Sequence, residues 1–380
     1  MCSLDNDLRS PKQACFNEDA ELSIDDKRNK IDKIDQQLIQ LLHERASLAL
    51  HIGIQKKCSG TNSFASEREN EILKRVCDSS TGTMPQKALK LIFNEIISAC
   101  REIQEPLTVA FLGPETTFSH YVAVRRFGNS ASLRPMFSIA DVFEEVETCR
   151  ASLGIAPMEN SLEGGVSSTM DCFLDTNLKI SGEIYASIRH ALVSRESSLK
   201  KIQTVYSHPQ ALNQCRNWLR KQLPEATLLD CSSTADAAKR ASQENGSSAI
   251  ASELAAEKFV LNVLAKNIQD RTDNKTRFVI IGFNVCKPTG QDKTTLYFTS
   301  KHRPGSLCQA LTLFSERGVN LTRIESRPLK DRNWEYSFFV DCEGHQNDQV
   351  LSECLEQLKE EVEYVKVLGS YPRTDPNDFI

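Results

Sequence analysis

The 380-residue chain has no apolar run approaching the length of a membrane span, so an integral helical membrane protein is not expected. Its first residues contain no apolar segment to serve as a secretory signal; residues 1–21 carry acidic side chains and read as a flexible tail. There is no long basic run, and the net charge is −5, which argues against nucleic acid and leaves local cationic clusters for small acids. The 13 cysteines, scattered from Cys2 to Cys354, include no CxxC pair and no His/Cys metal spacing. They read as reduced thiols in a cytoplasmic protein. Low-complexity tracts and internal repeats are missing too. What is there, 40% hydrophobic and 26% charged residues, suits two or three globular domains with ample core.

Residues 22 to 105 carry a helical period, predicting helices over 24–57, 67–77 and 85–104, with Ser59, Gly60, Thr61 and Asn62 breaking the first from the second. From Ile31 the apolar positions run Ile34, Leu38, Leu41, Leu48 and Ile52, spaced as in a heptad seam that Arg45 interrupts. A guanidinium at a position patterned for burial is costly without an anion. Arg45 therefore either fixes helix register and oligomer state or meets a carboxylate. Lys56 returns to nearly the same helix face about 16 Å further on, so the two cations can converge on one small anion. Arg28 lies about 26 Å before Arg45 on the same helix, so a shared site needs Arg28 from a second copy. Three thin helices leave the long seam uncovered, which points the same way. Cys100 and Gln104, four apart, share one face of the third helix.

From Leu107 the period changes. Runs with β character at 108–112, 152–156, 204–206, 227–229, 248–251 and 277–281 alternate with amphipathic helices at 139–149 and 211–221. The order suits two lobes, the chain leaving the first near 187 and returning near 270, with a ligand crevice at strand C-terminal ends. Four strings place polar groups there. Val109 to Glu115, continuing to Thr117-Phe118-Ser119-His120, reads as strand, turn and helix start with amides facing an anion. Pro157-Met158-Glu159-Asn160-Ser161, with Glu163-Gly164-Gly165-Val166, ends a buried strand, and Tyr206-Ser207-His208-Pro209-Gln210 repeats the arrangement in the second lobe. Asp273-Asn274-Lys275-Thr276-Arg277-Phe278 leads into the returning strand. Thr276 is either a β-branched strand residue or a hydroxyl donor, and His208 either a capping or core imidazole or a relay. Residues 292 to 372 read βαββαβ, a ferredoxin-like arrangement that hosts many functions.

Arg28, the Arg45 and Lys56 pair, Arg68-Glu69 and the run from Ile96 to Gln104 together resemble the all-helical chorismate mutases, whose active form is an intertwined dimer. The resemblance implies a pericyclic rearrangement of chorismate to prephenate, which needs a compact pose and stabilised charge rather than an acid or base. It further implies that Arg45 and Arg28 of the partner subunit bind carboxylates, and that Lys56 bridges a carboxylate and the ether oxygen. Gln104 then donates to that oxygen, Glu69 holds the ring hydroxyl, and Arg68 and Cys100 line the site. Ala65 stands where the family often has aspartate, and Cys100 replaces a serine.

The four middle strings together resemble prephenate dehydratase over about residues 106 to 285. The implied reaction is loss of ring hydroxide and carbon dioxide from prephenate to give phenylpyruvate. By position Thr276 assists the departing hydroxyl, relayed by Glu159 or His208, and Arg277 anchors the pyruvyl carboxylate. Asn160, Ser161, Ser207, Gln214 and Phe278 complete the expected site. Thr116 departs from the glycine usual in the first turn. Arg303 to Cys308 and Asn320 to Pro328 resemble the amino-acid-sensing ACT domain, implying phenylalanine feedback. The expected effector residues are Gly305, Ser306, Leu307, Cys308, Asn320, Leu321, Glu325, Ser326, Arg327 and Pro328. Ser306 and Cys308 replace the alanine and valine often found there.

The expected fold class is thus multidomain: an all-α, three-helix, intertwined-dimer mutase domain (22–105), a two-lobed α/β dehydratase domain (106–285) and a ferredoxin-like βαββαβ ACT domain (292–372). The expected function is a bifunctional enzyme of phenylalanine biosynthesis acting on chorismate and prephenate, with phenylalanine as effector. It is expected to work as a homodimer or higher homo-oligomer, with no metal, no organic cofactor, no nucleic acid and no membrane partner. Two other readings are open. One keeps only the dehydratase, with the helical block as a degenerate dimerisation arm; the other is a non-enzymatic amino-acid-responsive binding protein in which Thr276 is dispensable.

Overall fold

A computed structural model describes residues 22–58, 64–329 and 336–376. The expected tail at 1–21, the break at 59–62 and the expected strand start at Trp334 lie outside the described residues. The first domain consists of α1 (Ile24–Cys58), α2 (Ser66–Asp78) and α3 (Gln86–Gln104). In α1, Asp25 and Asp26 open the helix and Lys56 and Lys57 close it, each complementing the helix dipole. One side of α1 packs on α3. An apolar row alongside that face, Ile31, Ile34, Leu38, Leu41, Leu48 and Ile52, stays 49% to 65% exposed.

The second domain opens with β1 (Thr108–Leu112), α4 (Phe118–Phe127), β2 (Ser132–Met136), α5 (Ile139–Glu147), β3 (Leu153–Asn160), β4 (Gly164–Gly165), α6 (Ser167–Asp175) and β5 (Lys179–Ser187). The chain then crosses into a second lobe: β6 (Ala191–Ser194), β7 (Thr204–Ser207), α7 (Pro209–Gln214), α8 (Arg216–Gln222), β8 (Thr227–Asp230), α9 (Thr234–Ala241), β9 (Ser247–Ala251), α10 (Glu253–Phe259) and β10 (Asn262–Lys266). It returns as β11 (Lys275–Gly282), inserted antiparallel between β3 and β5 in the sheet order β2-β1-β3-β11-β5. The second sheet runs β10-β6-β9-β7-β8. The departure near 187 and the return of the chain by 275 match the two-lobe reading.

Three local differences have physical causes. The helix expected over 211–221 is split at Cys215, because the Asp270 carboxylate of the returning segment accepts from the Asn217 and Trp218 amides and caps a new helix start. β2 hid from the pattern because Pro135 sits in it, tolerated on an edge strand. β5 hid because Glu183, a buried charge, breaks its apolar run.

The third domain is β12 (Asp292–Thr299), α11 (Ser306–Glu316), β13 (Leu321–Pro328), β14 (Tyr336–Glu343), α12 (Gln349–Glu361) and β15 (Tyr364–Pro372), the expected βαββαβ order. Its sheet runs β13-β14-β12-β15, with both helices on a core that includes Phe298, Phe314, Val340, Leu355 and Leu358. The other face docks on the first lobe. Phe339, Leu368 and Tyr371 join the core cluster of Phe143, Met158 and Phe173, and Gly369 lets β15 lie directly on the Ile180 backbone of β5.

Candidate active sites

In the helical domain, Arg45, Ala49, Gly53 and Lys56 recur four, four and three residues apart and share the face of α1 turned to α3. Ala49 and Gly53 are buried there, with Arg45 and Lys56 half-buried at either end. Gly53 is the point of closest approach: a Cβ built on it would lie 2.9 Å from the Gln104 Cβ and 3.1 Å from the Gln104 Cα. The structure therefore groups Arg45, Lys56 and Gln104 along one groove, with Cys100 buried a turn before Gln104. Arg45 stands in this groove and also within the exposed seam, four residues after Leu41 and three before Leu48. Arg28 sits at the far end of α1, exposed and 3.5 Å from Asp25. Gly53→Ala should push Gln104 away from α1 and lower chorismate turnover about tenfold to a hundredfold while leaving prephenate turnover unchanged, as assays on the two substrates would read.

Glu69 is placed differently from expectation. Both its carboxylate oxygens are engaged, by Arg101 Nη1 at 2.5 Å and by Arg126 Nη1 of α4 at 2.6 Å, in a buried cluster. The two guanidiniums also lie 5.5 to 6.0 Å from the ring centres of Phe64 and Phe127. Glu69 thus ties α2 to α3 and to the second domain, its carboxylate occupied by Arg101 and Arg126. Arg68, on the outer face of α2, pairs with Glu71 at 2.5 Å.

In the second domain, Thr276 and Asn160 are opposite residues of the β11–β3 pair, both buried. The Leu162 amide donates to Asn160 Oδ1, which fixes the side-chain amide so that its Nδ2 donates to Thr276 Oγ1 at 2.9 Å and to Asn274 Oδ1 at 2.8 Å. Asn274 Nδ2 donates to Gln214 Oε1, which also accepts from His190 Nε2 at 2.8 Å. The chain of bonds runs from Thr276 to α7 of the far lobe and pins the hinge, where Ile188 also pairs with Asn274 through the backbone. Because Thr276 Oγ1 accepts from Asn160, its own proton is free to be donated outward, and the accepted bond polarises it. His190 and Asn274 were missed by sequence reading. Asn274 had a signal, since it shares the strand face of Thr276 two residues away.

Burial pulls the His190 pKa down, partly offset by its bond to Gln214, so the ring is held neutral. A base whose folded pKa is depressed contributes stability that is full above its unfolded pKa, about 6.5, and drains as pH falls from there toward the folded value. Thermal unfolding should therefore show a loss of stability between pH 7.5 and 5.5 that His190→Gln reduces.

Other expected site residues have structural partners. Ser207 Oγ, fully buried, donates to the Ile250 carbonyl, and Phe278 lies in the core with Phe111 and Phe127. Ser161 Oγ locks the loop end by donating to Asp273 O and accepting from Lys275 N. His208 caps α7 through Nδ1, which accepts from the Gln210 amide. Arg277 and Glu159 point away from Thr276, as alternation along a strand requires. Arg277 bonds Glu183 at 2.8 Å, Asp341 at 2.5 Å and Tyr371 at 2.7 Å, all buried, so its guanidinium is spent at the junction with the third domain. Glu159 lies 3.2 Å from Arg323 of β13. Across the crevice the lobes touch through Ser252 Oγ to Thr116 O, Gln210 to Glu163, and Lys258 to Glu115. Thr116 takes φ +74°, so the backbone shape a glycine favours is kept by a threonine.

In the third domain Gly305 adopts φ +82° at the start of α11. Ser306 lines a cavity of about 400 Å³ with Lys301, His302, Arg303, Tyr336 and Phe338. Leu307 and Cys308 line a second, of about 390 Å³, along the outer face of α11. Ser326 and Pro328 are exposed on β13, as is Asn320 just before it, while Leu321 packs on the domain core. Glu325 and Arg327 face the second domain instead, Glu325 against Gly165 and Arg327 donating to the Ser167 carbonyl at 2.9 Å. Among the described residues no cluster of His, Cys, Asp or Glu could hold a metal ion, and no helix is long and apolar enough to cross a membrane.

A cationic helical groove, a two-lobed α/β crevice and a docked ferredoxin-like domain define a multidomain enzyme of small acids with a sensor domain attached. The family profile for chorismate mutase type II matches residues 27–105, that for prephenate dehydratase 109–285, and that for the ACT domain 294–360. A bifunctional chorismate mutase/prephenate dehydratase of Aquifex aeolicus is 46% identical over 350 residues, covering 91% of this chain and 97% of that protein. The structure of a prephenate dehydratase from Arthrobacter aurescens in complex with L-Phe is 34% identical with a TM-score of 0.66, covering 71% of this chain and 91% of that one. GqqA, described as a novel type of quorum quenching acylase, is 30% identical with a TM-score of 0.64, covering 70% and 98%. This chain belongs to the bifunctional chorismate mutase/prephenate dehydratase family.

Proposed function

We propose that this chain converts chorismate to prephenate in its helical domain and prephenate to phenylpyruvate in the lobed domain, with phenylalanine as a feedback inhibitor at the third. We assign these roles to residues 22–105, 106–285 and 292–372. For the mutase, Arg45, Lys56 and Gln104 hold the dianion in a compact pose. Lys56 and Gln104 meet the ether oxygen as its bond breaks and negative charge grows there. Since Arg28 is a helix length away, the site is completed by Arg28 of the partner subunit, and the exposed apolar row of α1 is the surface that pairs. Half-burying such a side chain contributes about 1 kcal/mol, so six on each chain favour a dimer.

For the dehydratase, the observation that carries the reading is the Asn160 bond to Thr276 Oγ1, which leaves a polarised proton to donate to the leaving ring hydroxyl. As that C–O bond breaks, the C–C bond to the ring carboxylate supplies the electrons that make the ring aromatic, carbon dioxide leaves, and the departing hydroxide, held by the Thr276 hydrogen bond, takes a proton from solvent and leaves as water. The hydrogen bond from Thr276 strengthens as oxygen gains charge, so it favours the transition state over the bound substrate. The L-Phe complex of the Arthrobacter relative supports phenylalanine as the effector, and we assign its site to Gly305, Ser306 and their neighbours. The free cysteines among the described residues suit a reducing compartment, and we place the protein in the cytoplasm. The test is to supply chorismate and, separately, prephenate to the purified protein and follow prephenate and phenylpyruvate formed, with light scattering on the same sample. Phenylpyruvate from a particle of at least two chains is expected; no phenylpyruvate, or a monomer active on chorismate, contradicts the proposal.

A further inference from the structure

Two adjacent rungs of the β3–β11 ladder face opposite ways. One rung is Asn160 opposite Thr276, the hydrogen-bonded pair of the crevice; the next is Glu159 opposite Arg277. The side chains of that second rung end on the third domain. Arg277 reaches Asp341 on β14 and Tyr371 on β15, and Thr295 of β12 ties the same two groups at 2.6 Å each. Glu183, on the other neighbour of β11, accepts from Arg277 and from Lys293 Nζ of β12 at 2.8 and 2.9 Å. Glu159 meets Arg323 on β13, which also holds Glu325. Three strands of the sensor sheet therefore grip the two strands that carry Asn160 and Thr276, one residue from each. Gly165 keeps the approach open, because a side chain there would strike Glu325.

We propose that Arg277 and Glu159 are positioning residues that transmit the state of the third domain to Thr276, rather than ligands of the substrate. This rests on the proposed function above, and deepens it by naming the route of feedback. A buried ion-pair cluster is suited to the task, because closely packed charges have few alternative arrangements, so a shift of β13 or β14 is passed to β3 and β11 instead of being absorbed. A displacement of about 1 Å at a reacting group is enough to lower turnover about a hundredfold.

The test uses the full chain with Glu159→Ala and Asp341→Asn, measuring phenylalanine binding by calorimetry and prephenate turnover with and without saturating phenylalanine. The expected result is phenylalanine affinity close to that of the unmodified protein, with the inhibition factor reduced about tenfold. Where Asp341→Asn fails to fold, Glu159→Ala, at the half-exposed margin of the cluster, carries the test. Inhibition equal to that of the unmodified protein overturns the proposal, and so does loss of phenylalanine binding itself, which would place these residues at the effector site. An unmodified protein that dehydrates prephenate but ignores phenylalanine overturns the route and leaves the dehydratase standing. One that leaves prephenate untouched overturns the underlying reading and the route with it.

Discussion

Thr276→Val is expected to lower prephenate turnover by about 10²–10⁴-fold, the range supplied by a positioned proton donor. Valine keeps the shape and β-branching of threonine, so β11 should pair with β3 and β5 as before. The one bond lost is from Asn160 Nδ2, which still donates to Asn274, and the cost to stability should stay near 1 kcal/mol. The loss should fall on kcat with KM little changed, because the hydroxyl acts mainly as the C–O bond breaks. Chorismate turnover, read as prephenate formed, should be unaffected. If Thr276→Val retained full prephenate turnover, the threonine would be a strand residue and nothing more.

The second large effect belongs to the helical domain. Lys56→Ala should lower chorismate turnover about 10²–10³-fold, as removal of a charge-stabilising donor does in other sites, while prephenate turnover persists. Helix content by circular dichroism should be unchanged, since Lys56 lies half-buried in the last turn of α1 and alanine favours helix. An equal collapse of both activities and of the fold would assign Lys56 a structural role.

Much of the architecture could be read from periodicity alone. The long first helix, the return of the chain into the first lobe and the βαββαβ unit all follow from apolar spacing. What stayed hidden depends on contacts between segments far apart in sequence. Nothing local in Glu69 distinguishes a ligand of a ring hydroxyl from the anchor of Arg101 and Arg126, because the deciding partner lies on α4, 57 residues away. Arg277 sits beside Thr276 in the sequence, and adjacency suggests a shared role. The two-residue period of a strand sends it to the opposite face, and the partners it finds there, Asp341 and Tyr371, come from another domain. The same period would have directed attention to Asn274. His190 offered no signal, since its role depends on Gln214 arriving from the second lobe.

The central claim, that one chain performs both reactions under control of its third domain, is tested most directly by giving the purified protein chorismate alone and following phenylpyruvate, with and without phenylalanine. Phenylpyruvate that accumulates, and slows when phenylalanine is added, is the predicted result. Chorismate left unconverted, by a protein that still dehydrates added prephenate, would contradict the claim and reduce the helical domain to a dimerisation arm.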